Sequence, residues 1–201
     1  MTAAPGVLNG RGPGIATFWV PEGLFIRQMA NSSKDPAGSV DEAIVPPGVK
    51  TALHVLKCDE RYLITEGTGT VDLGRGPQKV GPGDVVLFPA GTPQRIVNDS
   101  NELLRFWCVC TPRFLPSDYT HLEDAAVPYA PLVDLAAGTS SGRRLATANL
   151  DVILTSGTGC LAFGDTVRDL RPGELAHIPR DTTWELTQLG TEPLVALARS
   201  T

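Results

Sequence analysis

Three side chains of this sequence have the types and surroundings to do chemistry together: the imidazole of His54, the carboxyl of Glu60 and the amide of Gln94. His54 stands in Leu53-His54-Val55-Leu56 and Glu60 in Asp59-Glu60-Arg61-Tyr62, both short β-prone runs. Alternate side chains of a strand share a face, so Leu56 points with His54, Tyr62 with Glu60, and Ile96 and Asn98 with Gln94. Such a trio has two uses. As ligands, one imidazole, one carboxylate and one amide oxygen with added water suit an open Mn, Fe or Zn site, and each weaker donor lowers the affinity. Without metal, His54 and Glu60 become an acid–base pair, because burial raises a carboxyl pKa and lowers that of an imidazole. Taken singly, a His or a Gln is more often a satisfied structural group. Leu56 on the His54 face removes a donor and lowers the local polarity. Tyr62 is expected as a pocket wall, and Arg105 and Trp107, which share a face further on, as its far wall. Arg61 and Arg95 are out of phase with Glu60 and Gln94 and are expected to face outward.

The elements that must carry these groups follow from composition. The 201 residues include 21 Gly and 17 Pro, which are excluded from helix interiors and mark turns, so a helical bundle is ruled out and an all-β chain expected. Seventeen basic and 22 acidic residues leave a net charge of −5 without long runs, the opposite of a phosphate-tracking surface, so nucleic acid is not an expected partner. No apolar run approaches the roughly 18 residues of a membrane span, and residues 1–14 do not read as a signal peptide, so a cytoplasmic protein is expected. Arg outnumbers Lys 13 to 4, which suggests a bacterial genome rich in GC. Cys108 and Cys110 sit two apart on one strand face, poorly placed to bridge, and the four Cys read as buried thiols.

Sliding the chain by 90 residues lays 62–111 on 152–201 without a gap, with twelve identities, among them Gly67/Gly157, Gly69/Gly159, Gly74/Gly164, Pro82/Pro172, Gly83/Gly173 and Leu104/Leu194. Turn residues recurring in order indicate duplication of one β unit. The expected organisation is a flexible tail over 1–20, a first module over 21–115, a linker over 116–133 with a short helix begun at Ser117, and a second module over 134–201. At the same offset His54 becomes Arg144, Leu56 becomes Ala146, Glu60 becomes Leu150 and Gln94 becomes Trp184. The second copy therefore reads as degenerate, His177 as structural and His121 as solvated. Arg144 and Trp184 could still make a metal-free binding cavity.

Residues 48–67 run Gly48-x5-His54-x-Leu56-x3-Glu60-x6-Gly67, and residues 83–98 run Gly83-x5-Pro89-x-Gly91-x2-Gln94-x3-Asn98. In this spacing the chain resembles the cupin superfamily, whose motifs are G-x5-H-x-H-x3-E-x6-G and G-x5-P-x-G-x2-H-x3-N. Both departures fall on metal ligands, Leu56 and Gln94. The resemblance implies a double-stranded β-helix, the jelly-roll barrel, duplicated in tandem. It further implies a ligand set of His54, Glu60 and Gln94 for one divalent metal, and a homodimer. From Gly48 to Phe114 the chain resembles small bacterial cupins often labelled mannose-6-phosphate-isomerase-like, a label that reflects fold more than substrate.

Three functions compete. The first is an enzyme working on a small molecule by proton transfer, of the isomerase, dehydratase, cyclase or epimerase kind, with His54 and Glu60 catalytic and Leu56, Tyr62, Gln94, Arg105 and Trp107 holding substrate, with or without one metal. The second is a metal-dependent oxygenase, against which the missing second His counts. The third is a binding module without catalysis.

Overall fold

The computed structural model describes residues 15–73 and 76–201, and they form two β-barrels in tandem. In the first, a six-stranded antiparallel sheet has the order β1-β2-β3-β10-β5-β8, from β1 (Thr17–Val20), β2 (Leu24–Ala30), β3 (Ser39–Val45), β5 (Asp59–Glu66), β8 (Val85–Phe88) and β10 (Leu104–Thr111). Facing it are β7-β6-β9, from β6 (Gly69–Asp72), β7 (Pro77–Val80) and β9 (Ile96–Val97), and the pair of β4 (Leu53–Leu56) with β11 (Tyr119–Glu123). Single bridges between His54 and Gln94 and between Lys50 and Val97 tie these smaller sheets into one wall. The order of the large sheet, in which β3 and β5 flank β10, is the crossed connection of a jelly roll.

The second barrel repeats this with two four-stranded sheets. One has the order β12-β19-β14-β17, from β12 (Ala130–Leu135), β14 (Leu150–Ser156), β17 (Leu175–Ile178) and β19 (Leu194–Ser200). The other is β13-β18-β15-β16, from β13 (Arg144–Leu145), β15 (Thr158–Phe163), β16 (Thr166–Leu170) and β18 (Thr183–Leu189). Every strand here has its counterpart 90 residues earlier; β8 and β17, at 85–88 and 175–178, are in strict register. The shared glycines have a physical reason. A Cβ on Gly67 would meet the Leu103 carbonyl at 2.3 Å and one on Gly157 the Pro193 carbonyl at 2.6 Å, and both residues have positive φ. Gly74 of the repeat lies outside the described residues.

Two segment readings change. Residues 17–20, placed in a tail by their Gly/Pro-rich surroundings, form β1 and pair with β2 because Trp19 finds Phe25, ring centroids 4.9 Å apart; residues 1–14 lie outside the described part. Of the linker, 116–118 make a single 3-10 turn with no side-chain cap, and 119–123 form β11 on the first barrel. Tyr-Thr-His-Leu carries more β than helix preference, and β4 offers an open edge. The second barrel packs one sheet across the first: Ile153, fully buried, joins the first core with Leu175 and Leu197, and Arg105 donates to the Gly173 carbonyl at 2.9 Å. Among the described residues no helix is long and apolar enough to cross a membrane.

Candidate functional site

A cavity of about 210 Å³ opens inside the first barrel. Its floor is the inner face of the large sheet, where side chains fall in rungs. One rung runs Gln28, Asp41, Cys108, Tyr62, Val86 across β2-β3-β10-β5-β8; the next runs Ser39, Cys110, Glu60, Phe88 across β3-β10-β5-β8. Phe18, Val20, Leu24 and Ile26 of β1 and β2 make a side wall, and Leu56, Phe106, Phe114 and Tyr119 complete an apolar, aromatic lining.

His54 enters from β4 on the opposite wall. Its Nδ1–H donates to the Ala52 carbonyl at 3.2 Å, which leaves Nε2 as a lone pair facing Gln94 Nε2 at 3.0 Å. The same Gln94 amide donates to Glu60 Oε2, so one NH2 group joins the two bases across the barrel. Gln94 is 1% exposed and Glu60 6%. Burial lifts the Glu60 carboxyl to about 7, against the pull of the Gln94, Cys108 and Cys110 hydrogen bonds, and the Cys110 thiol lies 3.7 Å from Glu60 Oε1. Burial lowers the His54 imidazole, with the Ala52 bond and the Glu22 carboxylate pulling it back up. Tyr119 stacks on His54 at 4.8 Å between centroids, 17° from parallel.

Strand phase brings His54, Leu56, Glu60, Tyr62 and Gln94 together as expected, with Leu56 buried where a second imidazole would sit. It does not bring Arg105 and Trp107. On β10 the cavity takes Phe106, Cys108 and Cys110, so the odd-numbered residues are on the outer face, where Arg105 bonds Glu42 and the Gly173 carbonyl. The composition of that strand hid its phase, since Cys and Phe are inward and Trp and Arg outward. Arg95 is out of phase with Gln94 but buried, paired with Glu123 on the far side of its wall.

Sequence reasoning passed over Asp41, Tyr119, Cys108 and Glu22, all of which line the cavity. Asp41 carries no motif, and only its rung beside Cys108 and Tyr62 places it. Burial raises its carboxyl to about 6, with the Met29 N–H the one group pulling it down. His121 stands opposite His54 in the β4–β11 ladder and pairs with Asp124 at 2.9 Å.

His54, Glu60 and Gln94 are the residues that would hold a divalent ion, the Gln94 amide turned to present its oxygen. In the geometry found, the Gln94 amide turns its nitrogen toward both His54 and Glu60, so presenting its oxygen to an ion requires the amide to turn over. Among the described residues no three His, Cys, Asp or Glu side chains group as a metal site.

The second barrel is closed at the equivalent place. Trp184, 3% exposed, lies in its core with Ala146, Val152 and Leu186, and the Arg144 guanidinium covers its ring at 5.6 Å. The Arg144/Trp184 pair thus plugs the barrel instead of lining a cavity. His177 bonds buried Asp151 at 2.6 Å, and Asp151 also holds Arg199, a structural network beside the other module.

The family described as Cupin domain matches residues 42–110, the stretch that carries His54, Glu60 and Gln94. Uncharacterized protein MJ1618 of Methanocaldococcus jannaschii is 35% identical over 112 residues, 54% of this chain and 90% of that protein. Endoribonuclease YbeY of Myxococcus xanthus is 30% identical over 94 residues, 47% of this chain but 31% of that protein. Among solved structures, oxalate decarboxylase from Bacillus subtilis overlaps 92% of this chain and 73% of its own at 15% identity, with a TM-score of 0.48.

Proposed function

Given that the chain belongs to the cupin superfamily, we propose that its first barrel is a small-molecule enzyme that works by proton transfer between His54, Glu60 and a bound substrate, and that the second barrel is a structural partner. The observation that carries this is the single Gln94 amide donating to both His54 Nε2 and Glu60 Oε2. A carboxyl titrating at about 7 in an apolar cavity both takes and returns a proton near neutrality, which is the requirement for a general base that must later act as acid. The His54 Nε2 lone pair supplies a second acceptor, its tautomer set by Ala52. Gln94 releases one of its two bonds when substrate enters and keeps the other, so it orients whichever base is idle. An isomerase, epimerase, cyclase or dehydratase reaction fits this arrangement. A divalent ion, if loaded on a turned Gln94, would add Lewis-acid activation, and no step here depends on it.

The test does not require the natural substrate. The protein is incubated in D2O with enolisable ketones and aldehydes, and deuterium wash-in next to the carbonyl is followed by NMR. Exchange above background that drops about 10²- to 10⁴-fold in Glu60→Gln supports the reading. Bound compounds that never exchange indicate a binding module. Stoichiometric metal in purified protein, lost in both His54→Ala and Glu60→Ala, would overturn the metal-free form of this reading.

A further inference from the structure

Two buried polar atoms that line the same cavity make no hydrogen bond of ordinary geometry among the described residues: Asp41 Oδ1 and the Tyr119 hydroxyl, the latter with the Glu22 carboxylate as its neighbour. A buried polar group left unpaired costs free energy, and where one is kept beside an open cavity the missing partner belongs to whatever fills it. The two differ in kind. Asp41 Oδ1 accepts. The Tyr119 phenol, pushed up by burial and by the Glu22 carboxylate, keeps its proton and donates. Their positions differ as well. Tyr119 lies on the His54 ring, against the reacting trio, whereas Asp41 is on the other wall, in the rung next to that of Glu60.

The charges of the cavity narrow the ligand further. Glu22, Asp41 and Glu60 line it, and among the described residues no Lys or Arg does. An anionic substrate would be desolvated against three carboxyl groups with no cation to receive it. A cation would have to shed its water among walls of Phe, Leu, Ile and Tyr.

We propose that the cavity is a site for an uncharged, ring-bearing hydroxy-carbonyl compound, its hydroxyl donating to Asp41 and its carbonyl oxygen accepting from Tyr119 beside His54 and Glu60. This substrate class rests on the proton-transfer reading for the identity of the reacting end, since a carbonyl held by Tyr119 places its α-carbon next to the two bases. In the exchange step Glu60 takes the α-proton as the C–H bond breaks, the electron pair moves into the carbonyl to give the enolate, the Tyr119 hydroxyl stabilises that oxygen, the Glu60 proton exchanges with D2O, and a deuteron returns from Glu60 to carbon as the carbonyl reforms.

The probes are 3- and 4-hydroxyacetophenone, with acetophenone, 4-acetylbenzoate and the 4-aminomethyl analogue on the same skeleton. Affinity is read by ligand-observed NMR titration and exchange by loss of the acetyl proton signal in D2O. At least one hydroxy isomer should bind about tenfold or more tightly than acetophenone, and above both charged analogues. Asp41→Ala should erase that preference while acetophenone binding holds; Asp41→Asn, which keeps an acceptor oxygen, should recover part of it. Tyr119→Phe should weaken every ketone. A merely structural Asp41 would lower the melting temperature of the Ala variant, whereas removing an unpartnered buried oxygen should leave it unchanged or raise it. Failure of both hydroxy isomers to bind, tighter binding of the carboxylate or the ammonium analogue, or a preference that survives Asp41→Ala would overturn the proposal. Asp41-dependent binding without exchange would leave the ligand class standing and overturn proton transfer; exchange without an Asp41 effect would do the reverse.

Discussion

At position 94 the first barrel has a glutamine whose amide joins His54 to Glu60; ninety residues on, the second barrel has Trp184 sealed in its core. The strands around these residues are the same strands, and even the polar fastenings repeat. Asn98 donates to the Val45 and Glu102 carbonyls at 2.8 Å each, and Gln188, at the equivalent position, donates to the Leu189 and Glu192 carbonyls. The side-chain amide at this position, Asn98 in one copy and Gln188 in the other, is therefore part of the scaffold in both, while the motif positions facing the interior diverge. A jelly-roll barrel is indifferent to whether its centre is a cavity or a solid core. A handful of inward side chains decides, and an indole in place of an amide supplies the volume that closes it.

The comparison can be broken most severely by copying the second centre into the first. The double variant Glu60→Leu/Gln94→Trp should lose ligand binding and exchange to background while circular dichroism shows the same β content; retained binding would mean the cavity is not the site. The reverse experiment, Trp184→Ala, should cost about 3–5 kcal/mol in urea denaturation, because the residue is core and its loss leaves a void. A cost under about 1 kcal/mol would show that the second barrel is not packed around it.

The next effect is one of pH. The folded-state carboxyl of Glu60 is raised from 4.5 to about 7, so the fold holds its proton longer than the unfolded chain does. Its contribution is fully present below pH 4.5 and lost as pH rises through 7, by about 3 kcal/mol for a shift of this size. Glu60→Gln should therefore be more stable relative to wild type at pH 8 than at pH 4.5. No difference between the two pH values would mean that Glu60 is not buried uncharged. The second barrel has Leu150 in this position and adds nothing to the slope. The smallest expected effect is the sharpest test of equivalence: Asn98→Ala and Gln188→Ala should each cost about 2 kcal/mol, because each removes a buried amide and its two hydrogen bonds to backbone carbonyls. A marked inequality would show that the two fastenings differ in role.

The glycines and prolines, the alternation of apolar residues and the 90-residue repeat were enough to read an all-β tandem barrel, because turns and strand faces are set by local backbone chemistry. His54, Glu60 and Gln94 were legible through resemblance: their spacing from turn glycines and prolines matches the cupin motifs. Asp41 and Tyr119 were not legible, since their strands carry no such marker and meet the site only through pairing with distant segments, β3 with β10 and β11 with β4. Nor was the phase of β10, which turned Arg105 and Trp107 away from the cavity and toward the second module's side. Sequence alone determined the fold, its duplication and the candidate trio. Only the tertiary structure decided which way β10 faces, that one barrel is hollow and the other filled, and that the Asp41 acceptor and the Tyr119 donor line the same cavity, because these depend on register and volume between segments far apart in the chain.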